Sequence, residues 1–470
     1  EYVTIPDGWT CKKLSDCTVD GNISYGIVQP GQHDDNGIPV IRINNINGGQ
    51  LDLTDVLRVS PEIERKYERT RLKGGEVLLT LVGSTGQSFV APKELAGWNV
   101  PRAIAVIRVD EEVGADWINI CLQSKETVHF LNVRANTTVQ KTLNLKDVRD
   151  IPILIPPVVT KKSIEGMALS LSNKIELNRQ TNQTLEHIAQ AIFKSWFVDF
   201  EPTRAKIAAK QIAQARQDSE RSAALKAALL ADGRWPEAVA AAIAEGDPER
   251  AAMAAISGKS LDELDQLSPE QQTQLLTTAA LFPDALVDSE LGEIPEGWLT
   301  RKIERCVKRF PVGKKFTQKT SNEFGKIPVL DQGKSGIIGY HDESPGVKAS
   351  KHDPIIVFAN HTCYMRLIMH DFSAIQNVLP FKGDNLNVYW VYQATLGRQE
   401  FIEYKGHWPD FSIQEIVIPS NELDERFGEI TKSIYVKHYE NENENSLLSR
   451  LRDSLLPKLL SGEIEIGEGA

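Results

Sequence analysis

The sequence offers little covalent or metal chemistry. Its 470 residues hold five cysteines and four methionines. The cysteines, at 11, 17, 121, 306 and 363, form no C-x-x-C pair, which argues against a zinc site or a disulfide framework and fits a reducing compartment, so a cytoplasmic location is expected. No run of about eighteen apolar residues occurs, which excludes a membrane-spanning helix on hydropathy. The N-terminus lacks a basic-then-apolar signal pattern, and the first residue is Glu, so a few residues are expected to precede it. Walker, H-E-x-x-H and G-x-S-x-G motifs are absent. Gly83-Ser84-Thr85-Gly86 lacks the lysine and the spacing of a phosphate loop. An adenine methyltransferase would need a Gly-rich cofactor loop and an Asn/Asp-Pro-Pro-aromatic clamp. The sole Pro-Pro, Pro156-Pro157, stands between Ile155 and Val158. With no enzyme signature left, a binding protein is the main expectation.

A long amphipathic stretch organises the rest. Between Lys161 and Phe200, alternating steps of four and three place Leu171, Ile175, Asn178, Asn182, Leu185, Ala189, Ile192 and Trp196 on one seam. This a/d spacing predicts a helix that lies along another helix in a left-handed coiled coil. The helix should run unbroken from Met167 to Phe200, roughly 50 Å at about 1.5 Å per residue. Near the C-terminus, Ile434, His438, Asn441, Asn445, Leu448, Arg452, Leu455 and Leu459 repeat the seam, again with two central asparagines. Polar residues at such positions cost stability and fix register and partner. Each helix follows a similar strand segment, DVRDIPILIPP at 147–157 and FSIQEIVIPS at 411–420.

The chain is too long for one core. Residues 1–158 alternate β-branched runs (38–46, 76–83, 102–109, 151–156) with amphipathic stretches at 61–72 and 116–133, which reads as a sheet-rich α/β unit. Residues 159–202 hold the central helix. Residues 203–290 turn Ala-rich, and three or four short helices are expected there as a connector. At Gly292 the frame restarts: GEIPEGW repeats IPDGW, RKIERC repeats KKLSDC, GKIPVLDQG echoes GIPVIRINN, and DPIIVFANHT echoes GEVLLTLVGST. Residues 291–420 then form a second unit and 421–470 the second long helix and tail. An internal repeat carrying dissimilar inserts is the organising feature. Net charge is −11, which weighs against indiscriminate nucleic-acid binding but not against a specific reader.

IPDGW and IPEGW, the IPILIPP and IVIPS strands, NQTLEHIAQAIFKSWF and ENSLLSRLRDSLLPKLLSGEI together resemble the specificity subunit of type I restriction–modification systems, over essentially the whole chain. The resemblance implies two α/β target-recognition domains separated by two long antiparallel coiled-coil helices, with the Ala-rich block as an extra helical insert. Each domain would read one half of an asymmetric, interrupted site in double-stranded DNA, and helix length would set the gap. A member is not itself a catalyst. It recruits two methyltransferase subunits and two translocase–endonuclease subunits, so S-adenosylmethionine, ATP and magnesium are expected on those partners, with no cofactor or metal in this chain.

Major-groove readout calls for Arg, Lys, Asn, Gln, Ser or Thr on loops. In the first domain the candidates are Arg42, Asn44, Asn45, Ser84, Thr85, Gln87, Asn136, Thr137, Gln140 and Lys141. In the second they are Gln332, Lys334, Asn360, His361, Thr362, Lys405, His407 and Trp408. Phe193, Trp196, Phe197, Leu455, Leu456 and Leu459 are expected to pack against the domains or the partner subunits. Asp384 with Glu403 and Lys405 leaves a metal-dependent nuclease as the alternative.

Overall fold

The strands β3 (Val77–Thr80) and β5 (Ile104–Val109) are aliphatic at nearly every position, as suits strands covered on both faces. The structure, a computed structural model, describes residues 5–47, 50–51, 53–83, 85–135, 142–231, 233–333 and 336–464. It divides into two units, Glu1–Asn178 with Asn443–Ala470, and Arg179–Glu442.

In the first unit an antiparallel sheet runs β2 (Thr18–Tyr25), β5, β3, β4 (Ser88–Val90). Successive side chains point to opposite faces. Val77, Leu79, Ala105 and Ile107 therefore meet Leu14, Trp117, Ile118 and Leu122, whereas Leu78, Ile104 and Val106 meet Leu72, Phe89 and Val100. The stretch expected as one helix at 116–133 is two, Ala115–Leu122 and Lys125–Arg134, because Ser124 caps the second by accepting the Thr127 N–H. At 61–72 a helical turn, Pro61–Glu64, gives way to a 3-10 turn kinked at Tyr67. Thr70 Oγ and Asn99 Nδ2 donate to the Tyr67 carbonyl and draw it out of the helical ladder.

Strand β1 (Thr10–Lys13) pairs antiparallel with β6 (Pro152–Ile155), Thr10 opposite Ile155. Pro156 and Pro157 follow, and the central helix starts at Val158 and ends at Phe197. It thus begins nine residues before Met167, since proline suits the edge of a first turn and Gly166 inside costs only about 1 kcal/mol. Ile164 and Ala168 pack with Leu456, Leu459 and Leu460 of the C-terminal helix, Asn421–Leu460. Asn178 Nδ2 donates to Asn445 Oδ1 at 3.0 Å and to Glu444 Oε2 at 2.7 Å, and Lys174 pairs with Glu444 at 3.3 Å. Gly462, at φ +72°, closes that helix, and a Cβ there would stand 2.7 Å from Pro6.

In the second unit β7 (Leu299–Lys302) pairs antiparallel with β12 (Glu415–Ile418), Leu299 opposite Ile418. A second antiparallel sheet runs β8 (Val307–Arg309), β11 (Val378–Gly383), β9 (Ile355–Ala359), β10 (Met365–Ile368). Both sheets have the same order along the chain: first, last, second, third. Here too faces alternate, Ile356 and Phe358 toward one core, Ile355 and Val357 toward the other. Within this unit the two long helices also run antiparallel. Asn441 Nδ2 donates to Asn182 Oδ1 at 2.8 Å, and Asn182 Nδ2 to the His438 carbonyl at 3.1 Å. One turn on, His438 Nε2 lies 3.2 Å from Glu186. Burial alone would pull the His438 imidazole down, but the hydrogen-bonded Glu186 with Glu442 outweighs it and holds the pKa above its ordinary value.

The Ala-rich insert holds more helices than expected: Glu201–Gln214, Ser219–Ala231, Glu237–Glu245, Pro248–Ser257 and Pro269–Ala280, with a short turn at Leu261–Asp265. It has a core of its own, in which Ala205, Ala209, Ala242, Ala251 and Ala254 let the helices approach closely around Ile212, Ile243 and Met253. Ser260 with Glu263 and Ser268 with Gln271 form capping boxes that separate its later helices. The chain leaves the insert at Phe282, whose ring stands edge-on to Trp196 at 5.2 Å and whose carbonyl accepts from Lys206 Nζ at 2.9 Å. Among the described residues no helix is long and apolar enough to cross a membrane.

Candidate nucleic-acid interface

Each sheet carries a hairpin, β3–β4 in the first unit and β9–β10 in the second, with Thr85 and Gln87 at the first tip and Asn360, His361 and Thr362 at the second. In the first unit the tip follows Leu81, whose carbonyl accepts the Leu143 N–H, and Val82 bridges to Thr142. Gln87 is exposed and Thr85 half-buried there. Asn44 is exposed on a separate loop. Its neighbour Asn45 is buried, accepting the Arg42 N–H and donating to the Asp55 carbonyl at 2.8 Å. Arg42 is held by the Asp55 carboxylate at 2.7 Å. Arg42 and Asn45 thus shape that loop, leaving Asn44 outward. Ser84, Asn136, Thr137, Gln140, Lys141 and Lys334 lie outside the described residues.

In the second unit the candidates form one hydrogen-bonded cluster. The Asn360 carbonyl accepts the His407 N–H, and its Oδ1 accepts the Trp408 N–H, both at 2.8 Å. Gln332 Oε1 accepts the His361 N–H at 2.9 Å, and the Gln332 carbonyl accepts from Thr362 Oγ1. His361 uses both ring nitrogens, Nδ1 donating to the Lys405 carbonyl at 2.7 Å and Nε2 accepting from Asn377 at 2.8 Å. His407 is fully buried, and its Nε2 donates to the Glu403 carbonyl at 3.0 Å. Trp408 packs on Phe358, Phe381 and Phe411, with the Arg309 guanidinium 4.9 Å above its ring. Gly406 lets the backbone pass close to Asn360, since a Cβ there would lie 2.8 Å from its Nδ2 and would push that amide aside. Nearby, Arg366 donates to the Asp331 carbonyl at 2.9 Å, and burial draws its pKa down.

What this scaffold presents is a loop whose apolar residues sequence reasoning missed. Phe401, Ile402 and Tyr404 are 56%, 74% and 84% exposed. Their one sequence signal is an apolar cluster in a segment with neither helical nor strand periodicity. Lys405 Nζ pairs with Glu403 at 3.3 Å and Asp410 at 3.2 Å, and those carboxylates, Asp410 first, raise its pKa. The Asp384 backbone N–H is taken by the Cys306 carbonyl. Among the described residues no group of three or more His, Cys, Asp or Glu could hold a metal ion. Phe193, Trp196 and Phe197 are buried with Phe427, Trp390 and Trp298. Leu456 and Leu459 are buried and Leu455 half-buried in the first unit.

Residues 6–187 match the family model described as the type I restriction modification DNA specificity domain. The type I restriction enzyme HindI specificity subunit of Haemophilus influenzae is 28% identical over 432 residues, 84% of this chain and 87% of its own length. The EcoBI specificity subunit of Escherichia coli is 29% identical over 189 residues, 40% of either protein. Among solved structures, the S subunit of a type I restriction-modification system from M. genitalium is 12% identical, covers 97% of this chain and 96% of its own, and superposes with a TM-score of 0.47.

Proposed function

We infer, from the premise that the chain belongs to the family of type I restriction–modification specificity subunits, that it reads one bipartite DNA site on behalf of enzymes it does not itself contain. It is a non-catalytic DNA specificity subunit. The observation that carries this is the relationship running through 432 residues to a specificity subunit. Two features of the chain support the finer reading. Both units carry an antiparallel four-stranded sheet with the same strand order, and in each a hairpin tip gathers polar loop residues. The chain is thus read as an internal repeat with two recognition domains, 1–158 and 291–420, each addressing one half-site.

The two long helices, read as an antiparallel coiled coil, act as the spacer between the half-sites. The Asn pairs fix its register. Methyltransferase subunits, two by the family resemblance, and translocase–endonuclease subunits assemble on this chain in the cytoplasm and bring S-adenosylmethionine, ATP and magnesium. In the first domain Asn44, Thr85 and Gln87 are the described residues offered to base edges, with Ser84 adjacent in sequence and Asn136, Thr137, Gln140 and Lys141 as further candidates.

The test is methylation sequencing of host DNA with and without this gene. Loss of a modified-adenine motif with two fixed halves around an unspecified spacer is expected. Replacing residues 291–420 by the same region of another specificity subunit should then change one half and leave the other. A change in both halves, or in neither, would sink the assignment of one half-site to each domain.

A further inference from the structure

The cluster in the second unit poses a question of chemistry. Its polar side chains are the ones that would read base edges, yet most of their hydrogen-bonding atoms are engaged within the chain. Gln332 Oε1, Asn360 Oδ1, Thr362 Oγ1 and both His361 nitrogens hold the loop in place. The loop they hold displays apolar and aromatic surface. Tyr404 lies face-to-face with His361, centroids 4.9 Å apart and planes 14° from parallel, so its outer face is open. Phe401 stands edge-on to the buried His407 at 6.0 Å. Between these braced rings projects Ile402, three-quarters exposed.

We propose that the Phe401–Tyr404 loop is a wedge that inserts Ile402 between two base pairs and lays the Tyr404 ring on the base so exposed. The inference rests on the DNA-reading function above and deepens it. Apolar side chains that enter between base steps unstack them and kink the duplex, and the cost of distortion varies with sequence. Specificity then arises at a step whose edges are never hydrogen-bonded. The bracing lowers the ordering cost that exposed rings would otherwise meet on binding. Arg309 supplies the matching charge. It is exposed at the end of β8, held over Trp408, and makes no ion pair among the described residues, which suits a phosphate beside the loop.

The experiment uses the full chain assembled with its methyltransferase partners and a duplex carrying the site found by methylation sequencing, with 2-aminopurine placed in turn at each position of the second half-site. The expected result is a several-fold rise in fluorescence at one step on binding, absent in Ile402→Ser and Tyr404→Ser. Both variants should assemble normally and bind the matched duplex about tenfold more weakly, as expected for one lost stacking contact. A mismatch at that step should erase most of the difference, because the unstacking is then already done. No rise at any position other than the methylated adenine, whose own extrusion unstacks it, or a rise at such a position that both variants retain, overturns the wedge while leaving DNA reading intact. Failure of the variants to assemble also overturns it, by making the loop a protein contact. If the wild-type complex binds no bipartite duplex, both readings fall.

Discussion

Asp424 is 1% exposed in the first turn of the C-terminal helix. Its Oδ2 accepts the Asn387 N–H at 2.7 Å, and among the described residues its Oδ1 has no hydrogen-bond partner. Burial pushes its pKa up to about 6, against the pull of that N–H. A carboxyl raised on folding stabilises while protonated, so its contribution is full below about pH 4 and is lost as pH rises through about 6. In urea unfolding, wild type should therefore gain on Asp424→Asn by about 2 kcal/mol between pH 7.5 and pH 4.5. A gap independent of pH would refute the assignment. Such an effect cannot be read from sequence. Asp424 looks there like an ordinary acidic residue at a helix start, and only packing against Asn387 turns it into a strained one. His407 is the parallel case in the second unit. Its residue type suggests DNA contact, and its place in the fold makes it a brace.

The long helices were the most legible elements. Every residue of both seams is buried or half-buried, because a spacing of four and three maps directly onto one helical face. What sequence could not supply was which asparagine meets which. The structure pairs Asn182 with Asn441 and Asn178 with Asn445. Asn182→Leu alone leaves the buried Asn441 amide unpaired and should cost about 1–3 kcal/mol, whereas the double change Asn182→Leu, Asn441→Leu should recover most of that loss. A double-mutant cycle by thermal or urea unfolding reads the coupling directly. Additive losses would mean the two amides do not depend on each other. The misread boundaries have local causes: Ser124 capping a second helix, Thr70 and Asn99 capturing the Tyr67 carbonyl, and prolines that start the central helix early. Side-chain capture of backbone groups leaves only a faint trace in hydrophobic periodicity.

For the molecule as a whole, the helices as spacer predict that matched seven-residue insertions in both will lengthen the unspecified gap in the methylated motif and preserve both halves. An unchanged gap in methylation sequencing would remove the spacer role. The shared strand order of the two four-stranded sheets lies in the segments that follow IPDGW and IPEGW, where the sequence reading expected the frame to restart. The loop at 401–404 was not visible in the sequence, because exposure belongs to the folded surface and its apolar letters resemble core. The Ala-rich insert was visible as helical, but not as a body with its own interior. Its chain departs just after Phe200 and comes back at Phe282, which rests on Trp196, a residue four before Phe200. Departure and return share one anchorage, so a fluorophore, an affinity tag or a tether attached at the exposed Gly233 would ride on a self-supporting mount. That makes the insert the natural grip for holding this protein in a single-molecule measurement while the loops at 84–87 and 401–408 stay untouched.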